Sequence, residues 1–315
     1  RVALALACCA DHQYERAKAA FERALELEPF NTQAHIGYAL ASLALASKRT
    51  TTEKERRKLH KEAYERIVVA SRTDPQNPMV LNHVANHQFE SWQRLGEALV
   101  MEPNRLSLHM SKKDALVWDL KSGYRVRFLG DNGYVEARIL NECDTTAVLN
   151  DDESKTYTLE IDAEITDVNS VVLEARPFKS VELLVVQAYS RSTSPEIKGE
   201  SMYIFGRMLH ARHEYKQAED VYKHAIQQYP EFSLAHFALG QVYLARNKLA
   251  EAIQCFEHVE SKMPDDADTR AYLALLRGLQ HDKTTPVEKL EEVTIPVLRC
   301  ERGGTSLIIV FLVVH

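Results

Sequence analysis

Two histidines, His83 and His87, have the spacing best suited to metal chemistry, because they stand four positions apart in an apolar segment. On a helix this spacing places both imidazoles on one face, as in the His-Glu-x-x-His zinc proteases. Val84 occupies the position at which those proteases carry the general-base glutamate, and no third ligand is evident. We therefore predict that both histidines are structural and that the chain holds no metal.

Sequence motifs for nucleotide binding and nucleophilic catalysis are also absent. The sequence has no glycine-rich phosphate loop, no dinucleotide fingerprint and no nucleophile elbow. Its five cysteines show neither metal-ligand spacing nor an even disulfide framework, which suits a reducing compartment. We expect no catalytic residue and no cofactor, and we interpret the chain as a binding protein and not an enzyme.

The overall composition is that of an ordinary globular protein, with 45% apolar and 27% charged residues among 315. The formal net charge of -6 argues against a broad nucleic-acid-binding face, which needs clustered Lys and Arg. The apolar run Leu307 to Val314 is far shorter than the ~20 residues that a membrane-spanning helix needs. The chain starts at Arg1 within a helical pattern, so we expect a fragment of a longer protein. From the net charge and the short apolar run, we expect neither a membrane partner nor direct binding of nucleic acid.

The strongest pattern is an internal repeat in the C-terminal half, with a period of about 34 residues. Residues of the same class recur at equivalent positions in Gly199 to Phe232 and Ser233 to Asp266. The matched pairs are Gly206 with Gly240, Ala218 with Ala252, Tyr222 with Phe256, and Pro230 with Pro264. Small residues let two helices approach closely, the aromatic residue fills the gap between repeats, and the proline ends the second helix. This pattern is typical of tetratricopeptide repeats (TPRs), each built from a helix A, a turn and a helix B.

The N-terminal part fits the same template. The leucine, alanine, aromatic, alanine and proline positions of a first unit are occupied by Leu4, Ala17, Phe21, Ala24 and Pro29. A second unit follows, with helix A over Gln33 to Leu45 and helix B over Lys58 to Arg72, closed by Pro75. This unit is longer than the period, and its additional residues fall in the polar run Ser47 to Arg57, where they lengthen the turn or either helix. We interpret this basic run as a solvated helix face.

A third unit is predicted to be split by an insertion. Its helix A is Met79 to Phe89, and its helix B arrives only at Phe178 to Ser190. A sixth unit begins with Thr269 to Leu279 and is poorly completed by Val287 to Val293. The predicted fold class is therefore mainly α: a TPR α-solenoid, a superhelix of helix-turn-helix repeats, with a small inserted β-barrel-like domain.

The inserted segment has the periodicity of strands, from Tyr124 to Val172. Alternating apolar and polar residues on both sides of a Gly-Asp-Asn-Gly turn indicate a hairpin. Five short strands are expected, over Tyr124 to Phe128, Tyr134 to Leu140, Thr145 to Leu149, Ser154 to Ile161 and Ile165 to Val168. Five strands in about 50 residues are enough for a small barrel.

The order of these strands resembles a Tudor or other SH3-like barrel. Such barrels can cage a methylated Lys or Arg between aromatic rings by cation–π contact. The candidates for an aromatic cage are Trp118, Tyr124, Tyr134 and Tyr157. We favour the alternative that these aromatic residues form the core of a very small barrel, which needs them for burial.

Particular sequence stretches within the repeats resemble one family among the TPR proteins. The stretch T-D-P-Q-N-P-M-V-L-N-H-V-A-N-H-Q-F, from Thr73 to Phe89, closely resembles the TPR scaffold subunit of the RNA polymerase II-associated factor (Paf) complex, the "Cln-three-requiring" family. Supporting matches are R-V-A-L-A-L, A-F-E-R-A-L-E-L, L-G-Q-V-Y and Q-C-F-E. The resemblance covers roughly Arg1 to Phe89 and Phe178 to Leu279, and the insert and the apolar C-terminus depart from it.

The resemblance implies a scaffold in the nucleus that binds the other subunits of a Paf-type complex. Through them it implies an indirect link to RNA polymerase II and chromatin, in support of transcription elongation and co-transcriptional histone modification. Two other functions remain open: a generic TPR adaptor or co-chaperone, and the TPR arm of a larger enzyme. The Lys and Asn positions of a co-chaperone carboxylate clamp are not filled in the fourth and fifth units.

These patterns predict four segments: N-terminal TPR units and the first helix of a split unit over 1–93, a β module over 111–176, the second helix of the split unit with further TPR units over 177–293, and an irregular apolar tail over 294–315. Inner helices of TPR units line a concave groove, which is the expected partner-binding surface. Its predicted lining is Met79, Asn82, Asn86, Tyr203, Arg207, His210, Phe237, Gln241 and Leu244.

Overall fold

A computed structural model describes residues 1–281, except for 49, 112–117, 119, 121–123, 131–132, 150–151, 166–168 and 265. The chain divides into a helical unit (Arg1–Val84, Val185–Arg207 and Tyr215 onward) and a barrel unit (Ala85–Leu184 and Met208–Glu214). The predicted apolar tail over 294–315 and the helix expected over Val287 to Val293 lie outside the described residues.

The helices follow the predicted order of helix A and helix B, with insertion of strands after the fifth. Their bounds are α1 Val2–Ala10, α2 Tyr14–Leu27, α3 Thr32–Ala46, α4 Glu53–Thr73, α5 Pro78–Glu90, α6 Phe178–Arg191, α7 Pro195–Ala211, α8 Tyr215–Gln228, α9 Ser233–Ala245, α10 Leu249–Lys262 and α11 Ala267–His281. The helices predicted on either side of the insert, over Met79 to Phe89 and Phe178 to Ser190, correspond to α5 and α6. The fold class is confirmed as mainly α, a TPR solenoid of helix-turn-helix repeats with an inserted barrel.

Turns between helix A and helix B use a left-handed residue. His12, His213 and Asn247 have φ of 56°, 61° and 57°, and each lies between two helices of one repeat. The left-handed conformation ends helix A sharply, and histidine and asparagine tolerate it better than most side chains. His213 and Asn247 occupy equivalent positions of consecutive units, as Gly206 and Gly240 do, so the backbone repeats with the same period as the sequence.

Glycines in helix A meet helix B of the same unit, as predicted, and the residue that they make room for is the aromatic one, which was expected between repeats. A Cβ added to Gly206 would lie 2.5 Å from the Tyr222 ring, and one added to Gly240 would lie 2.9 Å from the Phe256 ring. Tyr222 and Phe256 are fully buried. The two helices of a unit therefore approach to a distance that only glycine permits at these positions.

The second repeat accommodates its additional length in a longer turn and a longer helix. Helix α4 spans 21 residues and starts with a capping box in which Thr52 and Glu55 satisfy each other's backbone N–H groups. Its residues Leu59, Ala63, Ile67 and Ala70 pack with α1 to α3 in one apolar core. Gly37 on α3 lies directly against the ring of Phe21, a contact between consecutive units that the sequence did not predict.

The inserted strands form a closed antiparallel barrel. They are β1 Gln93–Glu102, β2 Arg105–Ser111, β3 Arg125–Gly130, β4 Gly133–Leu149, β5 Asp152–Ile161 and β6 Ser170–Ala175. Their order around the barrel is β1-β2-β5-β4-β3-β6, and β6 closes it by pairing with β1. Because β6 returns to lie beside β3, strands β3 to β6 form a Greek key.

The barrel differs from the predicted five-strand module in three ways. It starts at Gln93 and not near 111, because β1 and β2 were not recognised as strands. The two strands expected at Tyr134 to Leu140 and Thr145 to Leu149 are one continuous strand, β4, with a bulge between Ile139 and Asn141. Ile165, expected to begin a strand, lies outside the strands, and the rest of that predicted run is not described.

Alternate side chains of the strands fill the barrel interior. On β2, β3 and β6 buried positions alternate with more exposed ones, as a half-buried strand requires. The fully buried side chains of this core are Leu106, Leu108, Val126, Ile139, Leu159, Ile161 and Leu173.

Within the barrel unit, the ends of α5 and α6 pack together and against the barrel. The rings of Phe89 and Phe178 lie 6.1 Å apart, and the Ser180 hydroxyl donates to Oε1 of Gln88 at 2.7 Å. Tyr124, at the start of β3, meets the Phe178 ring edge-on at 5.2 Å. The helices that flank the insertion therefore contact each other directly, with the barrel seated beside them.

Candidate partner-binding surfaces

Asn82, a predicted groove residue, is buried in a hydrogen-bond network of the helical unit. Its Nδ2 donates to the Ile197 carbonyl at 3.1 Å and to Oε2 of Glu200 at 3.0 Å. Its Oδ1 accepts from the Ser201 hydroxyl at 2.9 Å, and Asn82 and Ser201 are both fully buried. Asn82 thus joins α5 to α7 and offers no atom to a partner, which corrects its predicted role.

Three further groove candidates are core residues of the helical unit. Phe237, Gln241 and Leu244 on α9 retain 8%, 7% and 5% exposure. The reason is that α9 packs against both α8 and α10, so almost its whole circumference is covered. Phe237 also meets the rings of Phe256 and Tyr272 edge-on at 5.4 and 5.7 Å. The prediction that these three side chains line a groove is wrong.

Met79, Tyr203 and Arg207 are the groove candidates of the helical unit that keep part of their surface exposed. The Tyr203 ring packs edge-on against Phe232 at 5.1 Å, and the Arg207 guanidinium lies 5.8 Å from the Tyr203 centroid. Tyr203 therefore packs against Phe232 and keeps part of its side chain accessible to solvent.

The two remaining candidates, Asn86 and His210, belong to the barrel unit. Both are half-buried, and Asn86 donates to Oε1 of Glu90 on its own helix at 3.4 Å. Tyr203 and Arg207, in contrast, belong to the helical unit.

The histidine pair on α5 does not form a metal site with other described residues. His83 is buried, and burial lowers the pKa of its imidazole to about 4, so it is neutral at physiological pH. Among the described residues, no group of three His, Cys, Asp or Glu side chains is arranged to hold a metal ion.

The predicted aromatic cage is not assembled as an open pocket. Trp118, Tyr124 and Tyr157 retain 8%, 4% and 5% exposure, so these three rings are buried, and Tyr124 packs against Phe178 of α6. Tyr134 is exposed, and the Arg127 guanidinium occupies its ring face at 4.2 Å. Arg127 also lies 4.8 Å from the Trp92 ring and pairs with Glu174 at 2.6 Å. The exposed ring of the set thus already has a cation from the barrel itself.

Glu200 has the most perturbed carboxyl described in the helical unit. Loss of water around it raises its pKa to about 7, and the hydrogen bond from Asn82 lowers the pKa only in part. A carboxyl of this pKa exchanges its proton near neutral pH.

A cluster of charges that the sequence analysis missed surrounds Glu219 on α8. Lys223, Arg246 and Lys248 all pair with its carboxylate, and they come from α8 and from the turn between α9 and α10. The Lys223–Glu219 spacing, one helical turn, was the only signal in the sequence. The two turn residues could not be placed beside it without the packing of α8 on α9.

Comparison with known proteins supports the helical-repeat fold. Sequence profiles of the tetratricopeptide repeat match residues 3–49 and 209–277. The RNA polymerase-associated protein CTR9 of Caenorhabditis elegans is 41% identical to this chain over 81 residues, which are 25% of the chain and 7% of that protein. The chain thus spans a small fraction of this relative's length.

One solved structure with low sequence identity shares the fold. A monomeric mutant of IFIT1 with m7Gppp-AAAA has a TM-score of 0.50 and 15% identity, covering 96% of this chain and 50% of that chain. PilF of Pseudomonas aeruginosa has a TM-score of 0.45 and 12% identity, covering 98% and 93%. None of the described helices is both long and apolar enough to cross a membrane. The described chain therefore carries TPR repeats before and after the barrel.

Proposed function

We propose that this chain is a non-catalytic scaffold of a nuclear Paf-type complex, which binds other subunits of the complex through its repeats. The observation that carries the proposal is the 41% identity to an RNA polymerase-associated protein over 81 residues. The stretch Thr73 to Phe89 supports the same proposal, because the TPR pattern requires only certain residue classes at a few positions and does not require this exact sequence. In this role the chain supports transcription elongation and co-transcriptional histone modification, and it contacts polymerase and chromatin only through other subunits.

The proposed organisation is a TPR array whose third unit is split by the barrel. The contacts of Phe89 with Phe178 and of Gln88 with Ser180 support it, because they join the helices before and after the insertion. Insertion between the two helices of one repeat leaves the packing of that repeat in place.

Met79, Tyr203 and Arg207 are proposed as partner-contacting residues of the helical unit, because they keep accessible surface on inner helices. Aromatic and arginine side chains contribute strongly to protein interfaces. The double change Tyr203→Ala and Arg207→Ala should weaken partner capture while the helical circular dichroism is retained. Loss of the helical signal would show instead that the two residues act only in packing.

Affinity purification of the full-length protein from nuclear extract, followed by mass spectrometry, tests the function. We expect the subunits of a Paf-type complex and RNA polymerase II to co-purify. The matched control is the full-length protein with Gln241→Ala, a change of a buried residue that should leave the partners in place if folding is preserved. Recovery of chaperones alone, or of an unrelated enzyme assembly, would overturn the Paf assignment and favour one of the two other functions.

A further inference from the structure

The charge cluster around Glu219 is built from three cations on one buried carboxylate. The Glu219 side chain is 6% exposed, its Oε1 accepts from Lys223 at 2.7 Å, and both of its oxygens lie 3.2 Å from Nζ of Lys248. The Arg246 guanidinium donates to Oε2. We call Lys223, Arg246 and Lys248 with Glu219 the basic cluster.

The basic cluster has more positive than negative charge. One carboxylate neutralises one cation, which leaves a formal charge of two. Among the described residues, no second carboxylate lies within 4.0 Å of the three cations. The side chains of Lys223, Arg246 and Lys248 remain 46%, 31% and 34% exposed, so part of each basic side chain faces solvent. Such cations can bind a further anion while their ion pairs with Glu219 remain in place.

The cluster is also held in place before any ligand arrives. Lys223 and Glu219 lie one turn apart on α8, while Arg246 and Lys248 flank Asn247, the left-handed residue that ends α9. The buried Tyr243 ring lies 5.9 Å from Nζ of Lys223 and 5.3 Å from Nζ of Lys248. Cations that are already ordered lose less conformational entropy when they bind an anion.

We propose that the basic cluster is a docking site for an acidic segment of a partner protein, rich in Asp and Glu. Charge complementarity supplies the attraction, and the fixed spacing of three cations supplies the orientation. The proposal rests on the protein-binding part of the proposed function and not on the Paf assignment. It also lies outside the groove residues chosen from the sequence.

Nucleic acid fits the cluster less well than an acidic peptide. Single strands are bound by exposed aromatic rings next to cations, whereas Tyr243 is 8% exposed beneath the lysines. A phosphate backbone also needs a continuous track of cations, and here three cations surround a carboxylate on a chain of net charge -6. We therefore expect a peptide carboxylate, and RNA serves as the competing ligand in the test.

The test measures fluorescence anisotropy of a short labelled oligoglutamate peptide against the whole chain, with a serine peptide of equal length and an oligouridylate as comparators. We expect binding of the glutamate peptide that weakens as salt rises. Lys223→Gln should weaken it about fivefold, the effect of one partly exposed ion pair. Lys262→Gln is the matched control, since Lys262 is 43% exposed and pairs with one carboxylate, Glu231, without excess charge. It should change the affinity less than about twofold.

Glu219→Gln provides a test of opposite sign. It removes the neutralising charge and nearly preserves shape, so it should strengthen binding of the glutamate peptide about threefold. A purely structural role for the cluster would lower binding in this variant or leave it unchanged. Circular dichroism of each variant reports whether the helices remain folded, and Lys248→Gln repeats the test if Lys223→Gln does not fold.

Four results would overturn the proposal: no binding of the glutamate peptide, equal losses in the Lys223 and Lys262 variants, no gain in binding in the Glu219→Gln variant, or tighter and cluster-dependent binding of oligouridylate. The purification from nuclear extract is a separate experiment. If Paf-type subunits are missing but the peptide binds through the cluster, the Paf assignment fails and the docking site stands. If the subunits are present but the peptide does not bind, the docking site fails alone.

Discussion

The helical unit and the barrel unit bury their cores through contacts of different range. In the helical unit, the glycine–aromatic contacts join neighbouring helices, as Gly206 does with Tyr222 and Gly37 with Phe21. In the barrel, the closing pairs join its first and last strands, for example Gln93 with Ala175. Damage to a repeat should therefore remain local, whereas the barrel should fold or fail as a whole.

The largest expected difference is between two deletion variants, one that lacks the whole barrel and one that lacks only part of it. Removal of 94–176, with Gln93 joined to Pro177 by a short Gly/Ser linker, should leave a soluble protein with cooperative helical melting. The reason is that Phe89–Phe178 and Gln88–Ser180 still join α5 to α6. Circular dichroism at rising temperature measures this outcome.

Removal of Tyr124 to Val172 alone should instead cause aggregation. This deletion takes away β3, β4, β5 and part of β6, so β1 and β2 keep unpaired edges. Size-exclusion chromatography compares the two deletions. Loss of cooperative helical melting in the complete deletion would mean that the repeats need the barrel, contrary to the split-repeat proposal.

The next largest effect tests locality within the repeats. Gly206→Leu should destabilise the helical unit by about 1 to 3 kcal/mol through overpacking, because its Cβ alone would lie 2.5 Å from the Tyr222 ring. Gly278→Leu on α11 is the matched control, since a Cβ there meets nothing within 4 Å. This control should be neutral or stabilising by up to about 1 kcal/mol. Urea unfolding measures both, and equal midpoints for the two variants would refute the assigned packing.

The two regions also differ in how far their structure could be predicted. The fixed period of the repeat identifies Gly206 and Gly240 as positions where helix A meets helix B, and the structure adds that Tyr222 and Phe256 fill the space there. The period does not show which face of α9 stays open, because packing on both sides buries Phe237, Gln241 and Leu244. Groove residues therefore depend on tertiary neighbours that the repeat pattern does not specify.

The barrel boundary was missed although part of its signal was present. Leu106, Leu108 and Met110 alternate with polar residues, which is the pattern of the half-buried strand β2. In β1, Glu97, Ala98 and Met101 favour helix, and closure against β6 overrides that preference. The Glu219 cluster was unpredictable for a similar reason, since its cations meet only after α8 packs on α9.

The third prediction concerns the pH dependence of the helical unit. Glu200 has a pKa near 7 in the folded chain and an ordinary carboxyl value of 4.5 as its reference. Between these values the folded state holds a proton that the unfolded state has lost, so the stabilisation is complete below about pH 4.5 and is lost as pH rises through 7. Glu200→Gln should therefore be more stable than the parent at pH 8, by about 1 to 2 kcal/mol, and no more stable near pH 5.

Urea midpoints of both proteins from pH 5 to 8 measure this difference. His83 acts in the opposite direction, because its lowered pKa makes the folded state less favoured as pH falls below 6.5. The comparison with Glu200→Gln cancels that contribution, since both proteins contain His83. Parallel stability curves for the two proteins would show that the Glu200 carboxyl is solvated and that the Asn82 network does not depend on its charge.

The smallest expected effect tests whether the loss of one weak contact lowers the stability of every strand of the barrel. Tyr134→Ala removes the exposed ring 4.2 Å from the Arg127 guanidinium, a cation–π contact that contributes about 0.5 to 1 kcal/mol at exposed sites. Leu99→Ala is the control, because Leu99 is 58% exposed on β1 opposite Ser107 and should change stability by less than about 0.5 kcal/mol. Hydrogen exchange should speed up by a similar factor in β2, β4 and β5 of the Tyr134 variant, since closure makes these strands open together. Faster exchange confined to the β3–β4 hairpin would mean that the barrel opens in parts, and the contrast with the repeats would then lose its basis.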